Sequence, residues 1–244
     1  MAGKDRLPDA GADNTETAKA VSEFLARSKT VPAPRVQGAS RGRLLFVMDA
    51  TASREPTWDK AARIQGEMFR AAEAVGGLDV QLAFYRGFDE FKVSRWVRDA
   101  DEMTRLMESV FCLAGETQIR KALGHAAGET RAARVNAMVL VGDAFEEDID
   151  RVVAAAGELA LLGVPAFMFH EGDDPAAEFA FRRIAELTRG AYVRFDAASA
   201  DALRDLLTAV AVYAAAGADA LNKIARAKGG TILAVARQVS GPKD

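Results

Sequence analysis

Leu44-Leu45-Phe46-Val47-Met48 is an unbroken apolar run that stops at Asp49. Apolar residues without alternation predict a strand covered on both faces, as in a parallel sheet. Trp58, Ala61, Ala62, Met68, Phe69, Ala72 and Val75 then recur on one face of a 3.6-residue period. That spacing predicts a helix over 58–75, ended by Gly76-Gly77. Leu78, Val80, Leu82 and Phe84 alternate with Asp79, Gln81, Ala83 and Tyr85, the period of a strand. A second strand is expected over 91–97. Arg86-Gly87-Phe88-Asp89 is too short for a crossover, so these two strands should pair antiparallel.

Helices near 101–110 and over 117–131 follow. Residues 137–141, Ala-Met-Val-Leu-Val, read as another buried strand, ending at Gly142-Asp143. A helix over 148–162, a strand over 164–170, a helix over 175–188 and a strand over 191–195 come next. Helices fill most of 199–228. Residues 231–240, TILAVARQVS, fit either a strand or a helix. Strands alternating with helices imply an α/β fold: three α-β-α layers, doubly wound, around a mostly parallel central sheet with one antiparallel edge strand. Ligands of such sheets bind beyond the carboxyl ends of strands, at a topological switch point. Asp49 and Asp143 each stand at such an end.

Outside this core the pattern weakens. Residues 1–12 read as a tail. Asp13 and Glu16 have the spacing that caps a short helix, with Ala18, Val21, Phe24 and Leu25 on its apolar face. A docked lid and a mobile arm both fit that helix. Residues 31–42 carry two prolines and two glycines and read as a linker. The expected organisation is therefore an N-terminal extension over 1–42, the α/β domain over 43–216, and a C-terminal helical extension and tail over 217–244.

Composition narrows the function. Half of the 244 residues are hydrophobic (50%) and 27% are charged, a balance that supports a large core. The net charge is −3, from 32 basic and 35 acidic residues, with no basic run, so nucleic acid is not an expected partner. Neither is a membrane surface. No segment approaches the roughly 20 apolar residues that span a bilayer, and the first residues lack a signal-peptide core. A single cysteine, Cys112, fits a reducing compartment, and a cytoplasmic location is expected. Cys112, between Phe111 and Leu113, reads as a small hydrophobe.

The candidate chemistry lies in Asp49-Ala50-Thr51-Ala52-Ser53. A carboxylate and two hydroxyls at alternate positions of an extended or gently curling chain point the same way. Such hard oxygen donors suit Mg²⁺ or Mn²⁺ better than zinc. The same residues would also serve as an ordinary helix start. Gly115-Glu116-Thr117-Gln118-Ile119 adds a threonine in a glycine-bearing loop before a helix, and Val141-Gly142-Asp143 adds a second carboxylate after a buried strand.

With these motifs together, the stretch from about 43 to 215 resembles the von Willebrand factor A (VWA) domain family of the cytosolic bacterial type. That family's metal-ion-dependent adhesion site (MIDAS) uses Asp-x-Ser-x-Ser, a Thr in a later Gly-x-Thr-x-Ile loop, and an Asp after the fourth principal strand. The matching positions are Asp49, Thr51, Ser53, Thr117 and Asp143. Two departures stand out: Thr51 replaces the usual Ser, and Ala144 follows Asp143 where many members have Gly. The resemblance implies that Thr51 and Ser53 ligate Mg²⁺ (or Mn²⁺) directly and that Thr117 does so when a ligand is bound. It implies that Asp49 and Asp143 act through water and hydrogen bonds. It also implies that an Asp or Glu of a protein partner completes the shell. Bacterial relatives work beside AAA+ ATPases or chaperone-like machines, which makes such a machine the partner class the resemblance suggests.

Enzymatic readings fare less well. The chain has no dinucleotide loop, phosphate loop or nucleophile elbow, and only two histidines, His125 and His170. The strongest catalytic alternative is a Mg²⁺-dependent phosphotransfer hydrolase of haloacid-dehalogenase type. It requires a second Asp where Thr51 stands. A VWA scaffold without metal dependence is the third reading. Glu146, Glu147 and Asp148 read as first-turn acids that complement a helix dipole, and His170–Asp174 as a polar loop or a second weak cation site. His125 reads as structural or exposed. Tyr85, Arg86, Phe88 and Trp96 read as an interaction edge or as ordinary packing.

Overall fold

The run before Asp49 forms the central strand of a sheet, and its lack of alternation has a direct cause. Leu44, Phe46 and Met48 face one buried apolar cluster; Leu45 and Val47 face another on the opposite side. The structure, a computed structural model, describes residues 41–54, 77–195, 200–228 and 230–240. All lie within the second of the two units into which the chain divides, Ala33–Asp244. The expected helix over 58–75, the short N-terminal helix and the linker up to residue 40 lie outside the described residues.

The strands are β1 (Gly42–Asp49), β2 (Leu78–Arg86), β3 (Glu90–Val97), β4 (Ala137–Gly142), β5 (Ala166–Glu171) and β6 (Ala191–Phe195). The helices are α1 (Ala100–Glu108), α2 (Ile119–Ala132), α3 (Ile149–Leu161), α4 (Pro175–Thr188), α5 (Ala200–Lys228) and α6 (Gly230–Ser240), with a 3₁₀ turn at Ala52–Arg54. The spatial order is β3-β2-β1-β4-β5-β6. Every pairing is parallel except β2 with β3. The sheet is thus mostly parallel with one antiparallel edge strand, as expected. Met103 and Met107 of α1, Leu206 and Val210 of α5 and Val235 of α6 cover one face. Ile119 and Leu123 of α2, Val152 and Leu159 of α3 and Ile184 of α4 cover the other.

The chain leaves β1 for β2 on one side and later returns to β4 on the other. The carboxyl ends of β1 and β4 therefore flank the switch point, and Asp49 and Asp143 meet there. Residues 231–240 are helical. Gly217 (φ 79°, ψ −177°) breaks α5, yet Leu221 and Ala225 beyond it join the same cluster as the rest of the helix. Strand β5 starts two residues later than expected, because Gly163 (φ 70°) turns the chain after α3 and Pro165 has no N–H to donate.

Candidate functional site

Asp49 ends β1 and is fully buried. Its Oδ1 accepts from the Thr51 backbone N–H at 2.8 Å and from the Thr51 hydroxyl at 2.6 Å. Its Oδ2 accepts from the Tyr85 hydroxyl at 3.2 Å. The 3₁₀ turn after Thr51 curls the chain so that Ser53 Oγ lies 3.1 Å from Thr51 Oγ1. Convergence therefore comes from a tight turn tied to Asp49 rather than from extended alternation. Thr51 is buried and Ser53 exposed, so the oxygens open to solvent on the Ser53 side.

Thr117 does not begin α2, as the helical pattern predicted; it stands two residues before it. Its placement comes from the loop after β4. The Thr117 N–H donates to Glu146 Oε2 at 3.2 Å, and Thr117 Oγ1 accepts from the Glu146 N–H at 3.1 Å. Glu147 accepts from the Ile119 N–H, and from the Arg120 N–H at 3.0 Å. Glu147 thus caps a helix far away in sequence and Glu146 holds the loop before it, while Asp148 alone caps the helix that follows them. Burial pushes the Glu147 carboxyl above its usual range, against the two N–H groups that hold it down. Gly115 allows the loop its course: a Cβ there would fall 2.1 Å from the Gly87 carbonyl oxygen.

Asp143 follows β4, and its Oδ1 is buried without a hydrogen-bond partner. It lies close enough to Asp49 to raise that group's pKa. Burial is the larger cause, and the Asp49 carboxyl reaches about 6 despite the Thr51 hydrogen bonds. A buried carboxylate beside a half-buried one with an unmatched buried oxygen leaves negative charge that a cation would neutralise. The hydroxyls fit too. Thr51 donates its hydroxyl hydrogen to Asp49 and accepts from Ser53, which leaves one lone pair of its oxygen for a cation. The 3.1 Å gap to Ser53 Oγ is close to the edge of an octahedron with Mg²⁺–oxygen bonds near 2.1 Å, about 3 Å. Among the described residues no cluster of three or more His, Cys, Asp or Glu is placed to hold a metal ion. This set relies on hydroxyls instead.

Several neighbours were not legible in advance. Tyr85, placed by alternation on the polar face of β2, is fully buried beneath Asp49, its pKa raised chiefly by burial. The parallel register that pairs Asp49 with Tyr85 is the signal that could have found it. Arg54 is 1% exposed and sets Nη2 2.7 Å from Glu171 Oε2, a close charge contact that ties the first loop to the end of β5. His170 and Glu171 are therefore buried strand residues rather than a polar loop, and His170 Nδ1 lies 3.0 Å from the Tyr192 hydroxyl. His125 is structural: its Nε2 is 2.9 Å from Gln81 Oε1 and its ring meets Phe91 edge-on. Trp96 donates to Glu129 at 2.8 Å beneath the Arg43 guanidinium.

No family model matches the chain, and no curated protein matches it. Solved structures do. The SpaC pilus adhesin of Lactobacillus rhamnosus GG aligns with TM-score 0.58 at 13% identity over 72% of this chain and 30% of its own. This chain thus spans under a third of that adhesin. The SpRpn10 VWA domain aligns with TM-score 0.54 at 12% identity over 69% of this chain and 94% of its own. Proximal thread matrix protein 1 of the mussel byssus, with a zinc-occupied MIDAS motif, aligns with TM-score 0.55 at 12% identity over 71% of this chain and 46% of its own. The fold is that of a VWA domain. No described helix is long and apolar enough to cross a membrane.

Proposed function

We propose that this chain is a divalent-cation-dependent protein-binding module whose metal, Mg²⁺ or Mn²⁺, takes an Asp or Glu of a partner as its last ligand. The observation that carries this reading is the trio Asp49, Thr51 and Ser53, with hydroxyl oxygens at octahedral-edge spacing, beside the unmatched Asp143 oxygen. Thr51 and Ser53 would hold the cation, Thr117 would join when a partner is bound, and Asp49 and Asp143 would orient hydroxyls and water. Neutral hydroxyl ligands leave most of the 2+ charge available, so the cation supplies attraction for a carboxylate. Asp49 holds the Thr51 hydroxyl in the orientation that aims its remaining lone pair outward.

The residues favour binding over catalysis. Asp49 is buried and engaged by three hydrogen bonds, a poor nucleophile, and Thr51 offers no general acid in the protonation range that a phosphotransfer hydrolase needs. Phosphatase turnover with Mg²⁺ that disappears in Asp49→Asn would contradict this reading. The direct test is capture of partners by the intact chain with Mg²⁺, with EDTA, and in Asp49→Ala. A set of proteins retained only by the first is expected, and an AAA+ ATPase or chaperone-like machine is the class to look for. Equal capture by all three would overturn metal-dependent recognition.

A further inference from the structure

We infer that Phe88, Phe111 and Leu113 form an apolar shelf beside the cation site. It would receive a large apolar side chain lying within about two residues of the partner's metal-seeking carboxylate. This inference rests on the proposed metal-dependent binding.

The shelf is exposed and held in place. Phe88 is 79%, Phe111 62% and Leu113 44% exposed. Single exposed apolar residues are ordinary, but three gathered together at a ligand-binding edge are not. They lie on two segments joined by backbone bonds: the Gly87 N–H donates to the Leu113 carbonyl at 3.4 Å, and the Glu116 N–H to the Gly87 carbonyl at 3.2 Å. The Arg86 guanidinium stacks 4.0 Å from the Phe111 ring and donates to the Phe111 carbonyl at 2.8 Å. Little ordering would be needed on binding.

The shelf is also continuous with the site. The Leu113 N–H donates to the Ala50 carbonyl at 3.0 Å, and Ala50 separates Asp49 from Thr51. Four residues beyond Leu113 the same loop delivers Thr117. A partner strand advances about 3.3 Å per residue. A carboxylate at the cation therefore leaves a side chain one or two positions away over Leu113 and its neighbours. The acids of the hairpin turn are matched, Glu90 by Arg86 at 3.0 Å and Asp89 by Lys121. The occupant that fits is an extended acidic–apolar segment of another protein, such as Asp or Glu next to Phe, Leu or Met.

A displayed random-peptide library, panned on the full chain in Mg²⁺ and in EDTA, tests this. The expected Mg²⁺-dependent binders carry Asp or Glu within two positions of a large apolar residue. Phe88→Ser/Phe111→Ser should weaken those peptides about tenfold or more, while Mn²⁺ should raise the melting temperature of this variant and of the native chain alike. Mg²⁺-dependent acidic peptides without apolar neighbours, or peptides indifferent to the double substitution, would overturn the shelf alone. Recovery of no Mg²⁺-dependent peptide would overturn the cation-dependent reading and the shelf with it.

Discussion

Asp49 keeps its proton in the folded chain to about pH 6, because burial and then Asp143 oppose its charge; unfolded, it ionises near 3.8. Between those values the unfolded chain has lost a proton that the folded chain retains. Asp49 therefore makes metal-free stability fall as pH rises from about 4 to about 6, with no further change above. The difference corresponds to about 3 kcal/mol at neutral pH. Asp49→Asn removes that penalty. Its metal-free melting temperature at neutral pH should exceed the native one, the difference should vanish below about pH 4, and its response to Mn²⁺ should be lost. At the proposed site protons would compete with the cation, so scanning calorimetry should find a larger Mn²⁺-induced rise at about pH 7.5 than at about pH 5. The five oxygen-bearing side chains were readable as a motif because each lies next to a strand end or a glycine turn. Tyr85 was not: Asp79 and Gln81 share its parity and marked that face as polar, whereas β2, inside the sheet, is covered on both faces.

At the scale of elements, two ties hold the site loops, and both run between residues far apart in sequence. Gly115 brings the Thr117 loop against the hairpin turn between β2 and β3. Gly115→Ala would drive a Cβ to 2.1 Å from a backbone oxygen. Circular dichroism should show a lowered melting temperature, and the Mn²⁺ response should fall with it, because Thr117 is displaced. The second tie is the Arg54–Glu171 pair. Arg54→Met removes the cation that the largely buried Glu171 faces and should lower stability by about 3 kcal/mol, and Glu171→Met should cost less, because Arg54 also faces the Asp49 carboxylate. The double substitution should cost much less than the two together, measured by urea unfolding. Alternation and helical period located most strands and helices within a few residues. They carried no trace of Arg54 reaching Glu171, or of Glu147 capping α2, since spacing along the chain reports only local neighbours.

At the scale of the molecule, the strand order sets where the candidate site lies. The reversal at β1 and β4 places Asp49 and Asp143 on either side of one crevice, and the β2–β3 hairpin and the loop to Thr117 form its apolar rim. The likeness to solved VWA domains extends to the fold; the cation-dependent docking proposed for these residues is open to direct observation. Crystals of the chain grown with Mn²⁺ and measured at the manganese absorption edge give that observation. The account predicts an anomalous peak bounded by Thr51 Oγ1 and Ser53 Oγ, beside Asp49 and Asp143, and absent from Asp49→Ala. Strong manganese peaks elsewhere with none at that crevice, or a peak that Asp49→Ala leaves unchanged, would contradict it.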